Sequence, residues 1–213
     1  MANKNIDYWD SVIKESPIVY KKSFDEEERY LLKNIKKDSK ILEVGCGTGR
    51  SLRQIIHLTQ NITAIDHEKE AIIKAKKNFE RYPNIKILLA DARSLPFKNN
   101  SFDVVICMTT FSNFGDYKIK ILNEMYRVVR NNGTVVISMY GDNAFSERMK
   151  IYKKLKFPIK EIKGTTVYFD EKIGDNVSEQ FYKKQLIEIF NKTKLKIVEI
   201  KRAGIFYVCK LSK

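Results

Sequence analysis

The sequence predicts an α/β sandwich built on one seven-stranded, mostly parallel sheet. Three observations carry this. An apolar run, Ile41–Val44, stops at Gly45 and passes through three alternating glycines into a helix that starts near Arg50. Strand-like runs then alternate with helix-periodic stretches as far as Tyr140, the pattern of helices covering both faces of a parallel sheet. Finally, the last two apolar runs, 195–201 and 205–211, are joined only by Arg202-Ala203-Gly204, too short for a helical crossover, so the last strand runs antiparallel.

The chain has 213 residues, 43% of them hydrophobic, enough for one domain with a modest insertion and a core that needs no staples. Cys46, Cys107 and Cys209 are odd in number and form no C-x-x-C pair, which speaks against disulfides and zinc and leaves them as small buried side chains. No run of about 18 apolar residues offers a membrane span. The start MANKNIDYWD lacks the basic and apolar regions of a secretory signal, so a cytoplasmic protein is expected. The formal charge of +14 is compatible with a polyanionic partner if the lysines share one face. They are instead spread through every predicted helix, with the densest group at Lys150, Lys153, Lys154, Lys156, Lys160 and Lys163.

Residues 5–22, with Tyr8, Trp9, Pro17 and Tyr20, read as too short and broken for a core helix. Ser23 and Glu26 stand at capping-box spacing and open a helix to about Lys36. In Ile41–Arg50, ILEVGCGTGR, the dinucleotide pattern G-x-G-x-x-G fails because Arg50 stands where the third glycine belongs. The phosphate-binding P-loop fails as well, since no Lys-Ser or Lys-Thr pair follows. What remains is acidic-x-G-x-G-x-G, with Glu43 two residues before Gly45. A second strand, 61–66, ends in Asp66, where a carboxylate can accept from both hydroxyls of a ribose or cap the next helix. His67 follows as a solvent-facing neighbour. A third strand, 85–90, ends in Asp91-Ala92, with Leu95-Pro96-Phe97 and Ser101-Phe102-Asp103 leading into an apolar fourth strand, 102–108.

Glu43-x-Gly45-x-Gly47-x-Gly49, the Asp66 ending, Asp91-Ala92 and the antiparallel finish together resemble the class I S-adenosylmethionine (SAM) dependent methyltransferases. The motifs cover roughly residues 38–140. The resemblance implies a strand order of 3-2-1-4-5-7-6. It also implies SAM as methyl donor, with S-adenosylhomocysteine as product. Glu43, Gly45, Cys46 and Gly47 would hold the methionine portion, Asp66 and His67 the ribose region, and Asp91 with Ala92 the adenine. Cys107 would lie near the methionine end, more through its carbonyl than as a nucleophile. Residues 1–37 would form a helical lid, with Tyr20 or Tyr8 folding over the donor or simply packing on the sheet edge.

The fourth strand exits into Thr109-Thr110-Phe111-Ser112-Asn113-Phe114 and lacks the (Asn/Asp/Ser)-Pro-Pro-(Tyr/Phe) box of amino methyltransferases acting on adenine, cytosine or glutamine nitrogens. Thr109, Phe111, Asn113 and Phe114 are therefore candidate substrate-pocket residues, and no catalytic base is assignable. Asp116 is read as the cap of a helix through Val129, followed by an Asn131-Asn132-Gly133 turn into a fifth strand, 134–140. Residues 141–180 read as a cap: a Lys-rich helix, then a hairpin with a turn at 174–176, with Tyr140, Tyr168 and Phe169 facing the acceptor. The expected function is methyl transfer to a small molecule. RNA or protein methylation through the basic surface, or a SAM-binding subunit without catalysis, are the alternatives.

Overall fold

The computed structural model describes residues 5–170 and 177–213. Two helices come first, α1 (Asn5–Lys14) and α2 (Ile18–Asn34). The alternating core follows: β1 (Ile41–Val44), α3 (Arg50–Ile55), β2 (Ile62–Asp66), α4 (Lys69–Asn78), β3 (Lys86–Leu89), β4 (Phe102–Cys107), α5 (Lys118–Val128) and β5 (Val129–Tyr140). Then come α6 (Phe145–Lys154), β6 (Ile159–Lys163), β7 (Thr166–Phe169) and β8 (Val177–Ser178), and finally α7 (Lys183–Asn191), β9 (Lys196–Ala203) and β10 (Phe206–Ser212).

The main sheet has seven strands in the order β3-β2-β1-β4-β5-β10-β9. The numbering moves away from the expected 3-2-1-4-5-7-6 because β6, β7 and β8 intervene in the chain and form their own three-stranded sheet. β10 runs antiparallel to both β5 and β9, as the three-residue link requires. Successive side chains of a strand point to opposite faces, and the core divides accordingly. Ile41, Val104 and Ile106 pack with α2, α3 and α4 through Leu31, Leu52 and Ile72. Leu42, Val105 and Cys107 pack with α5 and α7 through Met125 and Phe190. Register aligns Val44 with Ile65 and Asp66 with Leu89, so the exits of β1, β2 and β3 open on one edge of the sheet.

Three expectations need correction. Residues 5–22 are not broken coil: α1 forms there, and α2 begins at Ile18. Pro17, at φ −59° and without an N–H, starts the helix well before the Ser-x-x-Glu signal at Ser23. Ser23 consequently lies inside α2, donating to the Val19 carbonyl at 2.7 Å and accepting from Ile205 N–H at 3.1 Å. Asp116 is not the cap of α5; it sits in a short 3-10 turn, and the helix opens at Lys118. β6 has no counterpart in the sequence reading, because a strand as polar as IKEIK is defined by its pairing with β7 rather than by its own pattern. The expected turn at 174–176 lies outside the described residues. Asn132 does take the left-handed conformation, at φ 61°.

Candidate active site

The glycine loop is a tight reversal. Gly45 and Cys46 N–H groups both donate to the Ile65 carbonyl at 2.9 Å, which hooks the loop over the end of β2. Gly45 has φ 75°, and a Cβ there would stand 2.4 Å from Thr110 Cγ2. Gly49 has φ 93° and a Cβ would stand 2.2 Å from the Phe79 ring. Neither site tolerates a side chain without displacing a neighbour. At Gly47 a Cβ would meet nothing within 4 Å, so its backbone borders open space.

Asp66, 9% exposed, closes this loop. Its Oδ2 accepts from Gly47 N–H at 2.8 Å and its Oδ1 from Glu68 N–H at 3.0 Å, so one carboxylate ties the loop to the start of α4. Ligand contact and helix start are compatible in principle, because a carboxylate oxygen can accept more than one hydrogen bond.

A crevice runs along this edge in two connected cavities that share Gly45, Asp66, Thr110 and Asn113. The first is bounded by Gly45, Cys46, Gly47, Arg50, Met108 and Thr109, and roofed by Trp9, Asp10, Ile13, Phe24 and Tyr140. The second is bounded by Val44, Asp66, His67, Asp91, Ala92, Phe114, Tyr117 and Tyr168. Asp91 reaches it already engaged. Arg93 Nη2 lies 2.6 Å from its Oδ2, and this arginine is the main cause holding the carboxyl below its usual range.

Three sequence candidates take other places. Tyr20 is fully buried among Phe24, Tyr140 and Phe206, away from both cavities. It packs rather than covers, because α2 starts early enough to turn it inward. Tyr8 packs on Phe157 at 4.9 Å. Cys107 is wholly buried against the α5 side of the sheet, and burial pushes its thiol well up; Met108 and Thr109 are the residues that reach the cavity. Glu43 lies under the loop, 1% exposed, and burial raises its carboxyl to about 8 against the opposing pull of Ser51 and Arg50. Phe111 and Phe169 also belong to the packed interior.

Of this roof the sequence named only Tyr140; the α1 part was not legible as site residues, although Trp9, Val12 and Ile13 recur at helical spacing on one face of α1. Thr48 Oγ1 donates to Asp10 Oδ1 at 2.7 Å, and Lys74 Nζ lies 2.6 Å from Asp7 and 3.4 Å from Asp10, so α1 is moored to the glycine loop and to α4. Trp9 stacks edge-on against Phe157 and Phe169, tying α1 to residues of the small sheet's side as well.

Behind the first cavity lies a buried polar network. Glu27, fully buried on α2, pairs with Arg50 at 2.6 Å and accepts from Ser138 Oγ. Ser138 Oγ in turn accepts from Thr109 N–H at 2.7 Å. Thr109 needs this support: it is β-branched yet held at φ 64°, a strained conformation at the cavity wall.

Residues 42–137 match a family described as methyltransferase domain. Over those residues the chain is similar to methyltransferase domains, in keeping with the glycine loop and the Asp66 and Asp91 strand exits. Demethylmenaquinone methyltransferase of Staphylococcus aureus is 33% identical over 131 residues, covering 59% of this chain and 54% of that protein. The chain thus spans about half the length of the curated relatives it matches. The fold is shared with a SAM-dependent methyltransferase of Aquifex aeolicus (TM-score 0.68, 16% identity, 95% and 96% of the two chains covered). It is also shared with the Burkholderia thailandensis 1,6-didemethyltoxoflavin-N1-methyltransferase bound to its acceptor and S-adenosylhomocysteine (TM-score 0.70, 14% identity, 97% and 85% covered). No described helix of the chain is long and apolar enough to cross a membrane. Within the Lys150–Lys163 group, Lys150, Lys154 and Lys163 are each in ion pairs with glutamates, which reduces the free positive charge of that stretch.

Proposed function

We propose that this protein transfers a methyl group from SAM to a small-molecule acceptor. The observation that carries the reading is the continuous crevice over the strand exits, with bare glycine backbone at one end, Asp66 at its middle and Asp91-Ala92 at the other. Its parts fit the donor. The backbone at Gly45 and Gly47 accommodates the methionine portion, Asp66 the ribose hydroxyls, and Asp91, Ala92 and His67 the adenine. Glu43 supports the loop from beneath as a neutral carboxyl near pH 7.

When bound, SAM would supply an electrophilic sulfonium methyl, whose bond to sulfur breaks as the acceptor's bond to the methyl carbon forms, leaving a neutral thioether. The chain's task is then alignment and dryness. Holding reactants in register can supply about 7–11 kcal/mol of the barrier reduction. Arg50, moored by Glu27, and Thr109, held by Ser138, make one rigid wall. Trp9, Ile13, Phe24 and Tyr140 give the space beside it an apolar, largely aromatic lining. α1 serves as lid and residues 141–180 as cap.

A small acceptor is supported by that aromatic lining and by relatives whose names specify demethylmenaquinone and 1,6-didemethyltoxoflavin as their substrates. The test is transfer of labelled methyl from SAM into cell-extract fractions separated by size. Label is expected in the low-molecular-weight fraction; label confined to RNA or protein would overturn the acceptor class, and no turnover despite SAM binding would favour a non-catalytic subunit.

A further inference from the structure

Arg148, in the first turns of α6, is the bulkiest of the fully buried side chains among the described residues. Among the described residues all of its hydrogen-bond partners are neutral. Nη1 donates to the Thr165 carbonyl at 3.1 Å and to Gln180 Oε1 at 3.5 Å; Nη2 donates to the Ser178 carbonyl and to Ser178 Oγ at 2.9 Å. Nε is buried with no partner. No described carboxylate pairs with it. The adjacent Glu147 holds Lys150 at 2.6 Å, and Asp142 holds Arg202. Carbonyls and hydroxyls satisfy hydrogen bonding but leave the charge uncompensated, and a guanidinium cannot shed its proton to relieve it.

Tyr140 separates this charge from the first cavity. The guanidinium stands 5.0 Å from the centre of the Tyr140 ring, whose other surroundings include the cavity roof. The groups packed around Arg148 are Tyr20 from α2, Tyr140 from β5, Tyr152 from α6 and Ser178 from β8. Burial raises the phenols of Tyr20 and Tyr140, so neither supplies a counter-charge near neutral pH. The other charges at the cavity are already matched or distant: Asp10 by Lys74 and Thr48, Arg50 by Glu27, and Asp66 and Glu68 at the glycine-loop end.

We propose that Arg148 is a positioning residue that makes the Tyr140 end of the cavity select a flat acceptor bound as an anion, its ionised oxygen toward Tyr140. This rests on the methyl-transfer reading and deepens it. An acceptor that arrives deprotonated needs no base. Its negative charge is cancelled by the positive sulfonium in the displacement, so the site holds an anion only until transfer.

The probe is 4-nitrophenol, whose phenolate absorbs visible light and whose neutral form does not. The full chain is saturated with S-adenosylhomocysteine and the probe titrated with acid. The expected result is ionisation of the bound probe at a pH lower by about one unit, a tenfold shift in its equilibrium. The wild type should also bind the phenolate at least about tenfold more tightly than 4-nitroanisole, its neutral counterpart. Arg148→Met should abolish both preferences while calorimetry finds S-adenosylhomocysteine affinity unchanged, and Arg148→Lys should restore them in part. Equal binding of phenolate and anisole by the wild type, or a shift that survives Arg148→Met, overturns the proposal. Failure of the wild type to bind S-adenosylhomocysteine at all would instead overturn the methyl-transfer reading beneath it.

Discussion

The donor side and the acceptor side of the crevice each bury an arginine, and they do so differently. Arg50, beside the glycine loop, is matched by Glu27 at 2.6 Å and lies against the Phe24 ring. Arg148, under the acceptor wall, has neutral partners only. A matched pair returns much of its desolvation cost and serves rigidity; an unmatched charge keeps its cost and projects a field. The contrast teaches that the donor half is built to hold shape, whereas the acceptor half is built to discriminate by charge.

The sharpest way to break this comparison is to make the two arginines alike. Glu27→Leu strands Arg50 and removes the acceptor of Ser138, and should cost roughly 3–5 kcal/mol in urea denaturation. Adding Arg50→Met should recover most of that loss. A cost below about 1 kcal/mol for Glu27→Leu would mean that the pair does not brace the wall.

Glu43 gives a pH signature of the donor side. Its folded carboxyl titrates at about 8 against 4.5 in the unfolded chain, so the folded state holds a proton that the unfolded state has released between those values. Wild-type stability relative to Glu43→Gln is therefore expected to fall as pH rises from about 5 to 8, with a slope approaching 1.4 kcal/mol per pH unit, and to level off above. Parallel stability curves for the two proteins would contradict the burial of that carboxyl.

Ligand affinity comes next. Asp66→Ala removes the acceptor of two backbone N–H groups and is expected to weaken S-adenosylhomocysteine binding by about 10- to 100-fold in calorimetry. Asp91→Ala should cost under about tenfold, because Asp91 is half-exposed and already shared with Arg93. Wild-type affinity in both variants would remove the donor-site assignment. The smallest effect belongs to the mooring of α1. Lys74→Ala breaks a substantially exposed pair, worth about 0.2–1 kcal/mol, and should raise proteolytic cleavage within α1 no more than about fivefold.

Much of the donor half was readable in advance because its constraints are local. Gly45, Gly47 and Gly49 mark backbone that turns sharply or meets neighbours closely, and strand-ending Asp66 and Asp91 stand at exits that a parallel sheet must place on one edge. For Tyr20 the sequence left lid and packing open; packing is what occurs, since its facing depends on where α2 begins, and Pro17 outweighed the more conspicuous Ser23 signal. Cys107 is a buried side chain, as expected of the cysteines, and the next two residues, Met108 and Thr109, are the ones that line the cavity.

By itself the sequence determined the alternating architecture, the antiparallel finish and the donor loop, since period, glycine placement and link length act within a few residues of one another. Only the tertiary structure decided the rest. Glu27 meets Arg50 across 23 positions, Ser138 meets Glu27 across 111, and Arg148 meets Ser178 across 30. Whether a buried charge is matched depends on which distant element packs beside it, and neither spacing nor composition carries that information.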